Sequence, residues 1–193
     1  PFGDARGVND NSAKVVEVNG VKIAMIGLNH TDFKLKQADL VAKIKQLKEQ
    51  GNLVIPFIHW GVEYKHEPSS EQVELAHAMI DAGATTVIGM HPHVVESIEI
   101  YKNAPIFYSL GNAIFDQYFS VDTQEGLSVV LQISPEQLRF KLFPIKIENS
   151  QFKLMSPEER SIFLSKLSGW WRYDQETKAQ IEKGEIVINL PEN

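Results

Sequence analysis

Thr85-Thr86-Val87-Ile88-Gly89-Met90-His91-Pro92-His93 is a short apolar strand that runs out into two imidazoles one residue apart. Leu53-Val54-Ile55-Pro56-Phe57-Ile58-His59-Trp60-Gly61 repeats the plan, a buried-looking run that ends in a histidine. Between the two, Ser69 and Gln72 make a capping-box start for a helix carrying Val73, Ala76, Met79 and Ile80, closed by Gly83. Upstream, Leu35, Ala38, Val41, Ile44 and Leu47 recur at helical spacing until Gly51. Earlier still, runs 14–18 and 21–26 flank Asn19-Gly20, which supplies the positive φ angles of a type I′ hairpin. Strand, helix, strand, helix, strand implies right-handed crossovers and a parallel sheet. Ligands bind beyond the carboxyl ends of such strands, so His59, His91 and His93 are expected to meet there.

After residue 94 the pattern changes. Runs 94–101, 105–110, 126–133 and 138–147 are strand-like, with turns at Lys102-Asn103 and Ser134-Pro135. Antiparallel pairing is expected to continue or flank the sheet. A more polar tail follows: a helix over 157–167, the aromatic patch Trp170-Trp171-Tyr173, a short helix over 175–183 and a last strand over 185–190. The expected fold class is α/β, a mixed sheet with flanking helices, with a first unit over 1–150 and a helical extension over 151–193.

Bulk composition narrows the function. The chain has 193 residues, 43% of them hydrophobic and 23% charged, ordinary for a globular domain. A net charge of -6 with no basic stripe argues against nucleic acid as a partner. The absence of cysteine removes disulfides, thiolate metal sites and cysteine nucleophiles, and leaves the compartment undecided. No run approaches the ~18 apolar residues of a membrane span, and no signal peptide opens the chain. The start, Pro1-Phe2-Gly3-Asp4, lacks an initiator Met and reads as part of a longer protein.

Along an extended segment residues i and i+2 point the same way, so His91 and His93 are expected to face one cavity, with Pro92 limiting the wobble between them. Three neutral imidazoles suit a transition metal and can hold Zn²⁺ with an open position. The competing reading of His59 is a core histidine bonded to backbone carbonyls. Glu63, just beyond His59, suits a carboxylate that orients a metal-bound imidazole or acts as a general acid/base. Asn112, closing Ser109-Leu110-Gly111-Asn112, suits a cleft amide that binds an oxyanion or metal, or else a turn residue. His66 and Glu67 read as solvated loop groups, and His77, mid-helix, as structural.

These residues together resemble the CapA-type proteins of bacterial capsule and poly-gamma-glutamate synthesis, whose domain is similar to the calcineurin-like metallophosphoesterases. The resemblance rests on His59-Trp60-Gly61-Val62-Glu63-Tyr64, the Pro68…Gln72 spacing, Asp81-Ala82-Gly83-Ala84, the run 87–94, and Tyr108-Ser109-Leu110-Gly111-Asn112 with Phe115-Asp116. It spans roughly residues 13–130 in order. It implies a partial calcineurin-like fold over 1–150 and a divalent metal site (Mn, Zn or Fe, one or two ions in the full-length protein). His59 would be the isolated histidine, sharing a metal with His91, while His93 faces a second metal. Glu63 and Asn112 would take catalytic or supporting roles.

The implied activity is a metal-dependent hydrolase or related enzyme of capsule-polymer biosynthesis, or alternatively a non-catalytic scaffold, export or anchoring subunit. Implied partners are the capsule polymer or its precursor and subunits of a synthesis complex. The implied location is extracytoplasmic or at the cell surface, with membrane association through a missing amino-terminal segment. Three departures stand out: Met90 where the family often has histidine, Ala113 where an aromatic residue is usual, and no counterpart of the family's amino-terminal ligand segments. Asn29-His30-Thr31-Asp32 is similar to the Asn-His-Asp/Glu ligand segment of binuclear phosphoesterases, but the family's own Asn-Asn-His segment precedes this strand, which marks it as a decoy. Because a two-metal centre needs bridging carboxylates, these 193 residues alone are expected to bind metal weakly and to be nearly inactive.

Overall fold

The computed structural model describes residues 3–4, 7–31 and 33–190. Asn19 and Gly20, at φ 51° and 80°, close the hairpin of β1 (Ala13–Val18) and β2 (Val21–Asn29), with Val18 opposite Val21. Helix α1 (Gln37–Glu49) then crosses to β3 (Leu53–His59), and α2 (Ser70–Asp81) to β4 (Val87–Met90). Strands β2, β3 and β4 are parallel neighbours, as the alternation of strands and helices predicts. Beyond them β5 (Ile98–Tyr101) and β6 (Ala104–Phe107) form a hairpin whose second strand runs parallel to β4. The first sheet therefore has the order β1-β2-β3-β4-β6-β5.

The later strands build a separate sheet. β7 (Glu125–Ile133) and β8 (Gln137–Glu148) pair antiparallel along their length, and β10 (Glu185–Asn189) returns to the other side of β8. That return knits the end of the chain into the same sheet. A short β9 (Gln151–Leu154), which the sequence reading did not anticipate, folds back on β8 through Asn149-Ser150. Helices α3 (Pro157–Leu167) and α4 (Gln175–Lys183) fall on the residues predicted for them. Strand 94–101 is shorter than expected: only Ile98–Tyr101 is extended into the sheet.

Two cores result. Alternation along β2 and β3 sends Ala24, Ile26, Leu28, Val54 and Ile58 against Leu40, Ile44, Leu75 and Met79 of α1 and α2. On the opposite face Ile55, Ile88 and Phe107 pack on Phe140 and Leu142 of β8, with Phe163, Leu164 and Ile181 of α3 and α4 behind. Besides this face-to-face packing, the sheets are hydrogen-bonded at one rim, where Leu127 N donates to Leu110 O (2.8 Å) and Gly111 bridges Gly126. Past Leu127, no strand among the described residues pairs with the outer edge of β7.

The capping box of α2 reaches further than its own helix. Gln72 Oε1 accepts from Ser69 N (2.9 Å), while Gln72 Nε2 donates to Glu96 Oε2 (2.8 Å). Glu96 is 1% exposed, and burial pushes its carboxyl up to about 8 against the opposing pull of that hydrogen bond. No helix among the described residues is long and apolar enough to cross a membrane.

Candidate metal centre

Parallel register sets Asn29, His59 and Met90 side by side at the carboxyl ends of β2, β3 and β4. The ladder continues into the loops: His30 N donates to His59 O (2.7 Å), and Trp60 N to Met90 O (3.0 Å). Trp60 is fully buried and donates its indole N–H to Tyr108 O (2.8 Å). Gly89 lies beneath it, where a Cβ would fall 1.9 Å from Tyr108 O and 2.5 Å from Trp60 Nε1. A bare backbone at position 89 is what lets β4 end this close to β6. Past Trp60 the chain bends at Gly61 (φ 88°), and Tyr64 N donates to Pro92 O (2.8 Å). The 61–64 bend and the 91–93 loop are thereby tied together.

His59, His91, His93, Glu63 and Asn112 all reach this one rim. His91 Nδ1 lies 3.0 Å from His59 Nε2, so one ring donates and the other accepts. Donor atoms of Glu63, His91 and His93 all lie within 4.8 Å of one another, an arrangement able to hold a metal ion. His91 is common to both groupings. The rings do not converge by the extended geometry expected of them: His91 and His93 have φ 108° and 61°. A left-handed curl about Pro92, held by Tyr64, brings the rings round with centroids 6.0 Å apart. Non-glycine residues in that region are strained, and such strain concentrates at functional sites.

Asn112 fixes the state of His93. It is buried, and its amide N–H₂ donates to Thr123 O (3.0 Å) and Gln117 Oε1 (3.2 Å). Its Oδ1 is left to accept, 2.9 Å from His93 Nδ1. His93 therefore carries its proton on Nδ1 when neutral, and Nε2 presents a lone pair toward Glu63 Oε1, 4.0 Å away. This is the orientation device expected around a metal-binding imidazole.

Sequence reasoning passed over the residues that wall His93: Tyr64 stacks on it at 6.1 Å, Phe115 lies at 5.0 Å, and Gln117 joins Asn112 to the Tyr64 hydroxyl. Tyr64 and Phe115 lay inside the quoted motif runs, but nothing in their spacing marked them. Desolvation, then the Glu63 carboxylate, pushes the Tyr64 phenol above its usual value.

His30 is engaged away from the rim. It is buried, accepts from Leu35 N (2.9 Å) at Nδ1 and faces Glu71 Oε1 (3.2 Å) through Nε2. Asn29 does line a cleft of about 410 Å³ with Met90 and Phe57. Asp32 lies outside the described residues. His77 is structural, bonded to Glu99 (2.9 Å) and stacked on Tyr101. His66 departs from the fully solvated reading: Nδ1 meets Val95 O (2.8 Å), Nε2 lies 3.4 Å from Asp122, and the ring lies tilted against Trp170, centroids 4.6 Å apart. The aromatic patch downstream in sequence folds back over this loop and covers His66 in part.

Residues 3–117, the stretch that carries every one of these rim residues, match the family model described as Bacterial capsule synthesis protein PGA_cap. The chain belongs to this family. It is 36% identical over 148 residues to the PGA biosynthesis protein CapA of Bacillus subtilis (strain 168), covering 69% of this chain and 39% of that protein. The Capsule biosynthesis protein CapA of Bacillus anthracis is 41% identical over 120 residues, 52% of this chain and 28% of that one. A Probable polyglutamine synthesis accessory protein of Mycobacterium tuberculosis (strain ATCC 25618 / H37Rv) is 27% identical over 127 residues, 61% of this chain and 33% of that one. The chain thus spans well under half the length of these relatives.

Proposed function

We propose that this chain belongs to a machinery for capsule-polymer biosynthesis of the poly-gamma-glutamate type, and that its rim binds a divalent cation (Mn, Zn or Fe) for hydrolase-type chemistry. The observation that carries the reading is the convergence of Glu63, His91 and His93 donor atoms within 4.8 Å, with His59 Nε2 3.0 Å from His91 Nδ1. The donor set fits such a cation in its chemistry: His91, His93 and Glu63 would hold it through two imidazoles and a carboxylate, with His59 beside His91. Imidazole and carboxylate together suit first-row transition metals.

When bound, the ion supplies a Lewis acid and lowers the pKa of a coordinated water. The chain's own side chains supply the rest. Asn112 pins the His93 tautomer, Tyr64 and Phe115 screen that ring from water, and His91 with Glu63 completes the donor cluster. Glu63, half-exposed, is the group placed to take or return a proton at the mouth. Proposed partners are the polymer or its precursor and other subunits of a synthesis complex, at an extracytoplasmic surface.

Capsule yield tests this reading in a host whose capsule depends on the gene encoding this chain. His91→Ala and His59→Ala are each expected to abolish the polymer while the protein still accumulates. Normal yield from both variants overturns the catalytic reading and leaves a non-catalytic scaffold.

A further inference from the structure

The residues 170–173 fold into a strap that nothing in the metal centre requires. Tyr173 clamps its far end, its hydroxyl accepting from Ile98 N (3.2 Å) and donating to Ile98 O. Trp170 is held between the His66 ring at 4.6 Å and Lys166 Nζ at 5.4 Å, and Trp171 lies 6.1 Å from Tyr108. With Glu67, Pro68 and Gly169 the strap encloses a cleft of about 480 Å³. Both indoles are half-buried and Arg172 is exposed. Neither indole N–H, nor the Arg172 guanidinium, nor the Glu67 carboxylate has a hydrogen-bonding partner among the described residues. By contrast Lys166, on the flank, is committed to Asp122 (2.9 Å), whose carboxyl it holds below the usual range. The cleft thus presents two indole donors, one bare guanidinium and one bare carboxylate beside the half-buried indoles.

We infer that this cleft is a binding subsite for γ-linked polyglutamate, taking one or two repeats of the chain beside the metal centre. The inference rests on the polymer reading above and adds a place and a recognition chemistry to it. Each γ-glutamyl repeat carries a free α-carboxylate, an amide N–H, an amide carbonyl and a two-methylene stem. The guanidinium matches the carboxylate with a charge-assisted fork. Glu67 accepts the amide N–H, an indole N–H serves the carbonyl, and the stem lies against the indole surfaces. The net charge of -6 does not forbid it, since exposed charges are screened beyond about 8 Å at physiological salt. Glu67 follows Glu63 by four residues on one loop, so cleft and donor cluster lie within roughly 14 Å along the backbone.

Calorimetric titration of the 193-residue chain with a decamer of γ-linked glutamate tests this. Arg172→Ala is expected to weaken binding at least tenfold and Trp171→Ala several-fold, with unchanged melting for the exposed Arg172 variant. A neutral γ-linked glutamine decamer is expected to bind at least tenfold more weakly than the acid. The titration is run in chelator and is expected to give the same affinity as without it, which keeps this result separate from any failure of the metal reading. Equal binding by Arg172→Ala or by the neutral decamer overturns the inference. So do loss of binding in chelator, no binding at millimolar decamer, and preference for a neutral chito-oligosaccharide.

Discussion

At His91 the backbone sits at φ 108°, where a Cβ is unwelcome and glycine is at ease. Replacement by alanine removes the ring and keeps the strain; replacement by glycine removes both. His91→Gly is therefore expected to melt above His91→Ala by an amount equivalent to ~1 kcal/mol, reversing the usual order of the two residues. Thermal melts in chelator, which exclude metal effects, read this directly, and an alanine variant at or above the glycine one counts against strain at this position.

Glu96 gives the second residue-scale expectation. Its folded carboxyl titrates near 8 against an ordinary 4.5, so the folded protein holds a proton that the unfolded chain has lost. Its stabilising contribution is complete below about pH 4.5 and drains away as pH rises toward 8, at ~1.4 kcal/mol per unit. Glu96→Gln is expected to match the wild type in urea midpoint near pH 4.5 and exceed it above pH 8. A gap independent of pH excludes a buried neutral acid. None of this was visible in the sequence, where Glu96 is one charge within an apolar run and its burial depends on Gln72 of a distant helix.

Elements were read best where a local signal and the tertiary context agreed. Ser69 with Gln72, Asn19-Gly20 and the apolar strand at 53–59 each carry their own chemistry, and each forms where expected. β9 escaped because its turn, Asn149-Ser150, adopts the two left-handed angles (φ 53° and 57°) without a glycine to announce them. Whether the later strands continue the first sheet or flank it is left open by the sequence, because pairing partners of β7 and β8 are set by packing, which a single strand does not encode. His91 and His93 were legible as a pair, but their curl depends on a hydrogen bond from Tyr64, a contact made in space. The tightest element-scale constraint is Gly89. Gly89→Ala places a methyl 1.9 Å from the Tyr108 carbonyl, so β4 must part from β6. A loss above ~3 kcal/mol is expected, measured as unfolding midpoint in denaturant; a stable alanine variant means that the β4–β6 spacing is not fixed by this residue.

On the scale of the whole molecule, the donor cluster stands at the carboxyl ends of two parallel strands, β3 and β4, while the second sheet braces the opposite face. That division explains why the rim was foreseeable from strand order alone, whereas the strap and its cleft, built from residues far apart in sequence, were not. The outer margin of β7 has a different import. From Ser128 to Ile133 it carries no lysine, proline or bulge, and Val130 is 45% exposed. Such a margin is a template on which a foreign backbone can crystallise hydrogen bonds. Concentrated stocks should consequently cloud with time, and a single Val130→Lys change should keep them clear without touching the histidines; equal turbidity in both would exonerate β7. For anyone handling this chain, shelf life is written along that one strand.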